Sequence, residues 1–167
     1  MFKVKIKSNI SAEVKARLKK TVDDKFIADM NTQVVGEIKR LINAGVSPVQ
    51  SVEGGRRFKK YKDENKYPAK KKAKRPVNLF LSGEMLREYV AERVNGIRLT
   101  LGISKKASKE IKDRAEGNNI GTVNSEGQVA IAARRFVPLK GETYAVSVIR
   151  KLKNLYAQRI KELLSNK

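Results

Sequence analysis

Residues 82–103, SGEMLREYVAERVNGIRLTLGI, hold in one short stretch both of the periodicities from which this fold is built. Ser82 opens a helix whose Met85, Leu86, Tyr89, Val90 and Val94 share one face, and Asn95-Gly96 closes it in a way that also permits a tight turn. Beyond the turn, Ile97, Leu99, Leu101 and Ile103 alternate with Arg98, Thr100 and Gly102, which is the pattern of a half-buried strand. The chain therefore carries both helix and sheet.

Working outward, Phe2, Val4 and Ile6 alternate with Lys3, Lys5 and Lys7, which predicts a short strand at a sheet edge or exposed surface. Ser11 caps a long helix expected from about residue 11 to 43, stopped by Asn43-Ala44-Gly45. Along it Val14, Leu18, Val22, Phe26, Met30, Val34, Ile38 and Ile42 recur every four residues. At 3.6 residues per turn that row drifts about 40° per step, so one straight partner cannot cover it. Either the helix breaks or bends near Asp23-Asp24, or its ends pack against different partners, another subunit among them.

Downstream, Ser104 caps a polar helix or turn reaching about Glu116, with Gly117-Asn118-Asn119 as its breaker. A turn-like stretch from Gly121 to Gly127 leads to a short strand at 129–132. After Gly141, an amphipathic helix runs to about residue 164 through Val148, Ile149, Leu152, Leu155, Tyr156 and Ile160, with Arg150, Lys151, Lys153, Arg159 and Lys161 on its other face. This order of elements predicts one α+β domain over 1–167, with a small mixed or antiparallel sheet packed by long N- and C-terminal helices. A long basic loop, 46–81, is inserted between the first and second helices.

The 167 residues carry 38 Lys and Arg against 17 Asp and Glu, a net charge of +21. Such a field draws polyanions and makes copies of the chain repel one another. No run of 18 apolar residues is present and FKVKIKSN lacks the apolar stretch of a secretory signal, so a soluble, intracellular chain without a membrane partner is expected. The absence of cysteine and histidine removes thiolate chemistry, disulfides, Cys/His zinc sites and imidazole mechanisms.

Neither EGGRRF (53–58) nor GISKKAS (102–108) has the glycine spacing of a nucleotide cradle, and no cofactor is expected. The acids are scattered. Glu84, Glu88 and Glu92 fall at i, i+4 and i+8 and read as a solvated helix face pairing with Arg87 and Arg93. Ser104 and Lys105, being adjacent, do not face each other on a helix. The chain is expected not to be an enzyme.

Residues 56–75 carry Arg56, Arg57, Lys59, Lys60, Lys62, Lys66, Lys70, Lys71, Lys72, Lys74 and Arg75 against Asp63 and Glu64, a net +9. With Arg134 and Arg135 these form the candidate contact set for DNA phosphates or an acidic partner. A solvated loop of incidental charge is the bland alternative. Phe58, Tyr61 and Tyr67 are the candidate anchors pinning the loop to the body, or platforms for bases.

Three motifs carry a resemblance. Gly45, Ser47, Pro48 and Val49 form a Gly-x-Ser-Pro-Val start; Gly54, Gly55, Arg57, Phe58 and Tyr61 follow; then come Pro76, Val77, Asn78, Leu79, Leu81, Ser82, Gly83, Met85 and Leu86. Later, Glu126, Gly127, Ala133, Arg134 and Phe136 match a Glu-x-Gly then Ala-Arg-x-Phe signature, with Ala132 where a proline often stands and Asn124 in a displaced position. Over roughly residues 45–165 the chain resembles the virion morphogenesis, or tail-completion and head–tail joining, proteins of tailed bacteriophages. That resemblance implies a non-catalytic structural subunit in the virion neck or tail, assembled in the host cytoplasm. It implies a homo-oligomeric ring, of six copies, between the head-connector and tail-tube proteins, with the basic arm against neighbours or channel DNA. Charge alone supports the alternative, a sequence-nonspecific DNA- or RNA-binding protein.

Overall fold

The computed structural model describes residues 21–50, 56–58, 83–95 and 98–165. The strand expected at 2–7, the helix expected over 11–20 and most of the 46–81 loop lie outside these residues. Among the described residues the fold is α+β, with helices and two separate two-stranded antiparallel sheets.

The first described helix does not continue through residues 21–23. Asp23 is extended, with φ −92° and ψ −179°, and its Oδ1 accepts from the Phe26 N–H at 2.8 Å. It is therefore an N-cap, and the break falls beside the Asp23-Asp24 pair. Helix α1, Asp24–Met30, leads without interruption into one π-helical turn, Asn31–Val35, and then into α2, Gly36–Asn43.

That turn overturns the expectation that the four-residue row needs a second partner. From Phe26 to Ile42 an unbroken α-helix would accumulate about 160° of drift. A π turn bonds i to i+5 and so takes in one extra residue, returning roughly 100°. The remainder fits within one apolar stripe. Phe26, Met30, Val34, Ile38 and Ile42 are all buried in a single core within this chain.

The helix expected over 82–95 is corrected. Only α3, Glu84–Arg87, is helical, entered through Gly83 at φ +78°, and the chain then extends as β1, Tyr89–Asn95. Aromatic and β-branched Tyr89, Val90 and Val94 favour extended backbone, and the following strand offers them a ladder. β1 pairs with β2, Arg98–Ile103, from Tyr89↔Ile103 to Arg93↔Leu99, with an irregularity between Arg93 and Asn95. Burial now alternates, Tyr89 and Ala91 inward and Arg93 outward.

The carboxylate row Glu84, Glu88 and Glu92 is accordingly no face at all. Glu84 pairs with Arg114 at 3.6 Å, the Glu88 carbonyl accepts from the Ser104 N–H, and Glu92 accepts from Ser104 Oγ at 2.5 Å and the Lys105 N–H at 3.1 Å. The Ser104 bond, opposed by some burial, holds the Glu92 carboxyl below its ordinary range.

Helix α4, Lys109–Ile120, is capped by Ser108 and runs through Gly117-Asn118-Asn119, correcting the expected break there. Asn118 Nδ2 donates back to the Arg114 carbonyl, and Asn119 is used for tertiary bonds; the stop comes at Gly121, φ +80°. Strands β3, Thr122–Val123, and β4, Val129–Ile131, form a short ribbon, and α5, Val146–Ser165, is the expected C-terminal helix. α5 lies along α1, the π turn and α2, where the Phe26 ring meets Tyr156 edge-on at 4.8 Å. Arg159 of α5 also pairs with the capping Asp23.

Candidate functional site

The sheet and the buried helical row create a platform on which two distant stretches meet. Residues 45–50 leave α2 and run beside residues 56–58, with Val46 bridged to Arg57, the Ser47 N–H on the Arg56 carbonyl at 2.6 Å and the Phe58 N–H on the Gly45 carbonyl at 2.9 Å. On their other side, Val49 is bridged to Tyr144, the Ala145 N–H donates to the Pro48 carbonyl at 2.6 Å, and the Gln50 N–H donates to the Thr143 carbonyl at 2.8 Å. Gly45, at φ +72°, is the residue that turns the chain out of the helix into this path.

Ser47 is the knot. Its hydroxyl donates to the Arg135 carbonyl at 2.5 Å and accepts from the Val49 N–H at 3.1 Å, while its own carbonyl receives Nε and Nη2 of Arg56. The segment it grips, 132–137, has no strand ladder of its own and is held by side chains. Asn119 Oδ1 accepts from the Phe136 and Val137 N–H groups, both at 2.8 Å, and its Nδ2 donates to the Val137 carbonyl at 3.1 Å. One side-chain amide thus stands in for a neighbouring strand.

Beneath the seam Phe136 is buried beside Tyr89, with ring centroids 6.1 Å apart, and the hydroxyls of Tyr89 and Tyr144 meet at 2.7 Å. Tyr89 donates and Tyr144 passes its own proton toward the Leu101 carbonyl at 3.5 Å. Burial pushes the Tyr144 phenol up to about 12 and raises that of Tyr89 well above its ordinary value, so both stay neutral. On α2, Glu37 is almost fully buried and makes two bonds to Arg40, both at 2.8 Å, with Lys151 at 3.6 Å. The Arg40 bonds outweigh burial and, with Ser147 and Lys151 assisting, hold the Glu37 carboxyl at about 2.

The candidate contact residues divide sharply. Arg134 is 3% exposed and bonds the Ala132 carbonyl, and Arg135 bonds the Asn119 carbonyl at 2.9 Å and pairs with Glu142 at 3.3 Å. Both are spent inside the fold. Arg56 is spent on Ser47, Arg57 is exposed, and Phe58 is buried in the core cluster. Lys59, Lys60, Lys62, Lys66, Lys70, Lys71, Lys72, Lys74, Arg75, Tyr61 and Tyr67 lie outside the described residues. A cationic surface not singled out from sequence surrounds the start of α4, where Lys105, Lys106, Lys109 and Lys112 are exposed. Four lysines within eight residues were the available signal.

Nothing in this arrangement converges as a catalytic set. A polar cleft of about 550 Å³ between α1 and the end of α5 is lined by Lys25, Gln158, Arg159, Lys161, Glu162 and Ser165, with no paired nucleophile and base. Among the described residues no cluster of three or more Asp and Glu could hold a metal ion, and no helix is long and apolar enough to cross a membrane.

The geometry defines an α+β domain whose two sequence motifs form one hydrogen-bonded seam. The chain matches no protein-family model, no curated protein and no solved structure.

Proposed function

We propose that this chain is a structural subunit of a tailed-phage neck, a tail-completion or head–tail joining protein that acts by assembly rather than catalysis. The observation that supports this reading most is the meeting of its two motif halves. Ser47 of the Gly-x-Ser-Pro-Val stretch and Arg135 of the Ala-Arg-x-Phe stretch, far apart in sequence, are joined through the Ser47 hydroxyl and the Arg135 carbonyl. A motif whose polar groups are consumed in holding two segments together is suited to building a rigid subunit, and its side chains are not left free to act on a substrate.

In this reading copies close into a ring, six being the expected number, between the head connector and the tail tube in the virion. The basic arm then faces channel DNA or acidic neighbours, which offset the mutual repulsion of +21 chains. Electron microscopy of the chain coexpressed with connector and tail-tube proteins tests this. Ring-shaped density incorporating the chain is the expected result; a chain recovered only as free monomer, with complete necks formed without it, refutes the reading.

The exposed lysines at the start of α4 favour a second reading, sequence-tolerant binding to DNA or RNA. It requires affinity that falls steeply with salt, with a log–log slope of roughly −0.9 per phosphate contact on duplex DNA. Replacing Lys105, Lys106, Lys109 and Lys112 by Gln should flatten that slope by roughly 0.9 for each phosphate these side chains neutralise, and an unchanged slope removes this surface from consideration.

A further inference from the structure

Residues 115–133, AEGNNIGTVNSEGQVAIAA, form the longest run in the chain without lysine or arginine, and they carry Glu116 and Glu126. In a chain of net charge +21 this is the one extended stretch with a negative balance. It is also where apolar side chains are left in water. Val123 and Val129 face each other across the β3–β4 ribbon and are 65% and 54% exposed, and Ile120, just before the ribbon, is 48% exposed.

The ribbon is preformed although no large core supports it. Asn124 Oδ1 accepts from the Glu126 and Gln128 N–H groups at 3.1 and 2.8 Å, the Asn124 N–H donates to the Gln128 carbonyl at 2.9 Å, and Gly127 closes the turn at φ +74°. Its base is tied by the Arg134 N–H to the Asn118 carbonyl at 2.7 Å. Among the described residues its two strands pair only with each other, so no further strand covers either outer edge. A rigid ribbon with an apolar pair and uncovered edges presents what strand-to-surface association uses.

We infer that the β3–β4 ribbon is the surface through which one copy of this chain docks on a second copy. Charge selects the occupant. Glu116 and Glu126 repel phosphates and acidic proteins, whereas the rest of a second copy is strongly basic and attracts them. Any other face brought against a copy sets cation against cation. A ribbon seated on a different, basic surface makes a heterologous contact, in which every copy both gives and receives a ribbon, and such contacts close into a ring when the rotation allows. The inference rests on the homo-oligomeric part of the reading above and names the surface that would serve it.

Sedimentation velocity of the full chain, across a concentration series at low and at raised salt, tests it. Wild type should associate, more readily as salt screens the net repulsion. The double substitution Val123→Lys with Val129→Lys should weaken association by roughly tenfold or more, while Val146→Lys, at a 60% exposed apolar residue on α5, should leave it unchanged. If wild type and the double variant associate alike, the ribbon inference is overturned and the ring reading stands. If wild type stays monomeric under every condition, the homo-oligomeric reading itself falls with it. Far-UV circular dichroism checks that the variants are folded. Should the double variant fail that check, Glu126→Arg at the ribbon tip decides alone, with weaker association expected and unchanged association overturning the inference.

Discussion

Replacing Asn119 with alanine should be among the most damaging single changes available in this chain, and the reason lies in what it would leave behind. Asn119 is 7% exposed and satisfies three backbone groups of a segment that has no ladder, the N–H of Phe136, the N–H of Val137 and the carbonyl of Val137. Alanine removes all three partners and opens no path for another protein group to replace them. A buried backbone group stranded in this way costs about 1–3 kcal/mol. Phe136 is 1% exposed, so its N–H bears the full cost, whereas the half-buried Val137 can recover water. A loss of about 2–4 kcal/mol follows, a large part of the 5–15 kcal/mol typical of a folded domain. Urea unfolding followed by far-UV circular dichroism measures it, as a lower midpoint at unchanged slope, with a melting temperature lower by roughly 5–15 °C.

The neighbouring residue supplies the control. Asn118 is the same residue type on the same turn, but its side chain makes only an exposed bond to the Arg114 carbonyl. Asn118→Ala should cost under about 0.5 kcal/mol, as surface changes usually do. Equal destabilisation by the two substitutions would refute the claim that the Asn119 amide serves as a surrogate strand.

Ser47→Ala removes one donor to the Arg135 carbonyl and one acceptor for the buried Val49 N–H, so denaturation should report a loss of about 1–3 kcal/mol, and Ser47→Thr should restore part of it. Asn31→Ala should cost a similar amount, because the Asn31 amide both donates to the Ala91 carbonyl at 3.1 Å and accepts from the Ala91 N–H at 2.8 Å, tying the π turn to β1. Glu37 predicts an acid transition. Its pKa of about 2 in the fold lies below the ordinary carboxylate value, so its stabilisation is complete above about pH 4.5 and is lost as pH falls through about 2. Because its partner Arg40 is 65% exposed, solvent screening reduces this to about 1–2 kcal/mol. Glu37→Gln should be less stable than wild type at pH 7 by that amount, with the two curves converging toward pH 2; parallel curves down to pH 2 would count against the assignment.

Local signals in the sequence were legible wherever a local cause decides the structure. Alternation from Leu99 to Ile103 is a strand, the capping Asp23 breaks the first helix beside the expected pair, and the apolar row from Val148 to Leu155 belongs to a helix. The misreadings fall where tertiary partners decide. Tyr89, Val90 and Val94 satisfy helical spacing as well as alternation, and only the available edge of β2 makes the extended form better. Asn119 reads as a breaker until the unpaired segment at 136–137 gives its amide something to hold. Arg134 and Arg135 look like part of a phosphate-binding set because sequence counts charge without showing that Asn119, Ala132 and Glu142 already occupy them.

The four-residue row is the more instructive case, because its regularity contained the answer. Apolar residues that keep a strict interval of four across Phe26, Met30, Val34, Ile38 and Ile42 fit a helix that is locally underwound better than one that is ideal throughout. The π turn at Asn31–Val35 is that underwinding, and it lets β1 and α5 bury the row from within the same chain. The breadth of the row therefore no longer argues for a second subunit. Whatever contact joins copies of a +21 chain must come from a surface that the core leaves unused and that lacks cationic charge, and the described residues offer that combination at the β3–β4 ribbon.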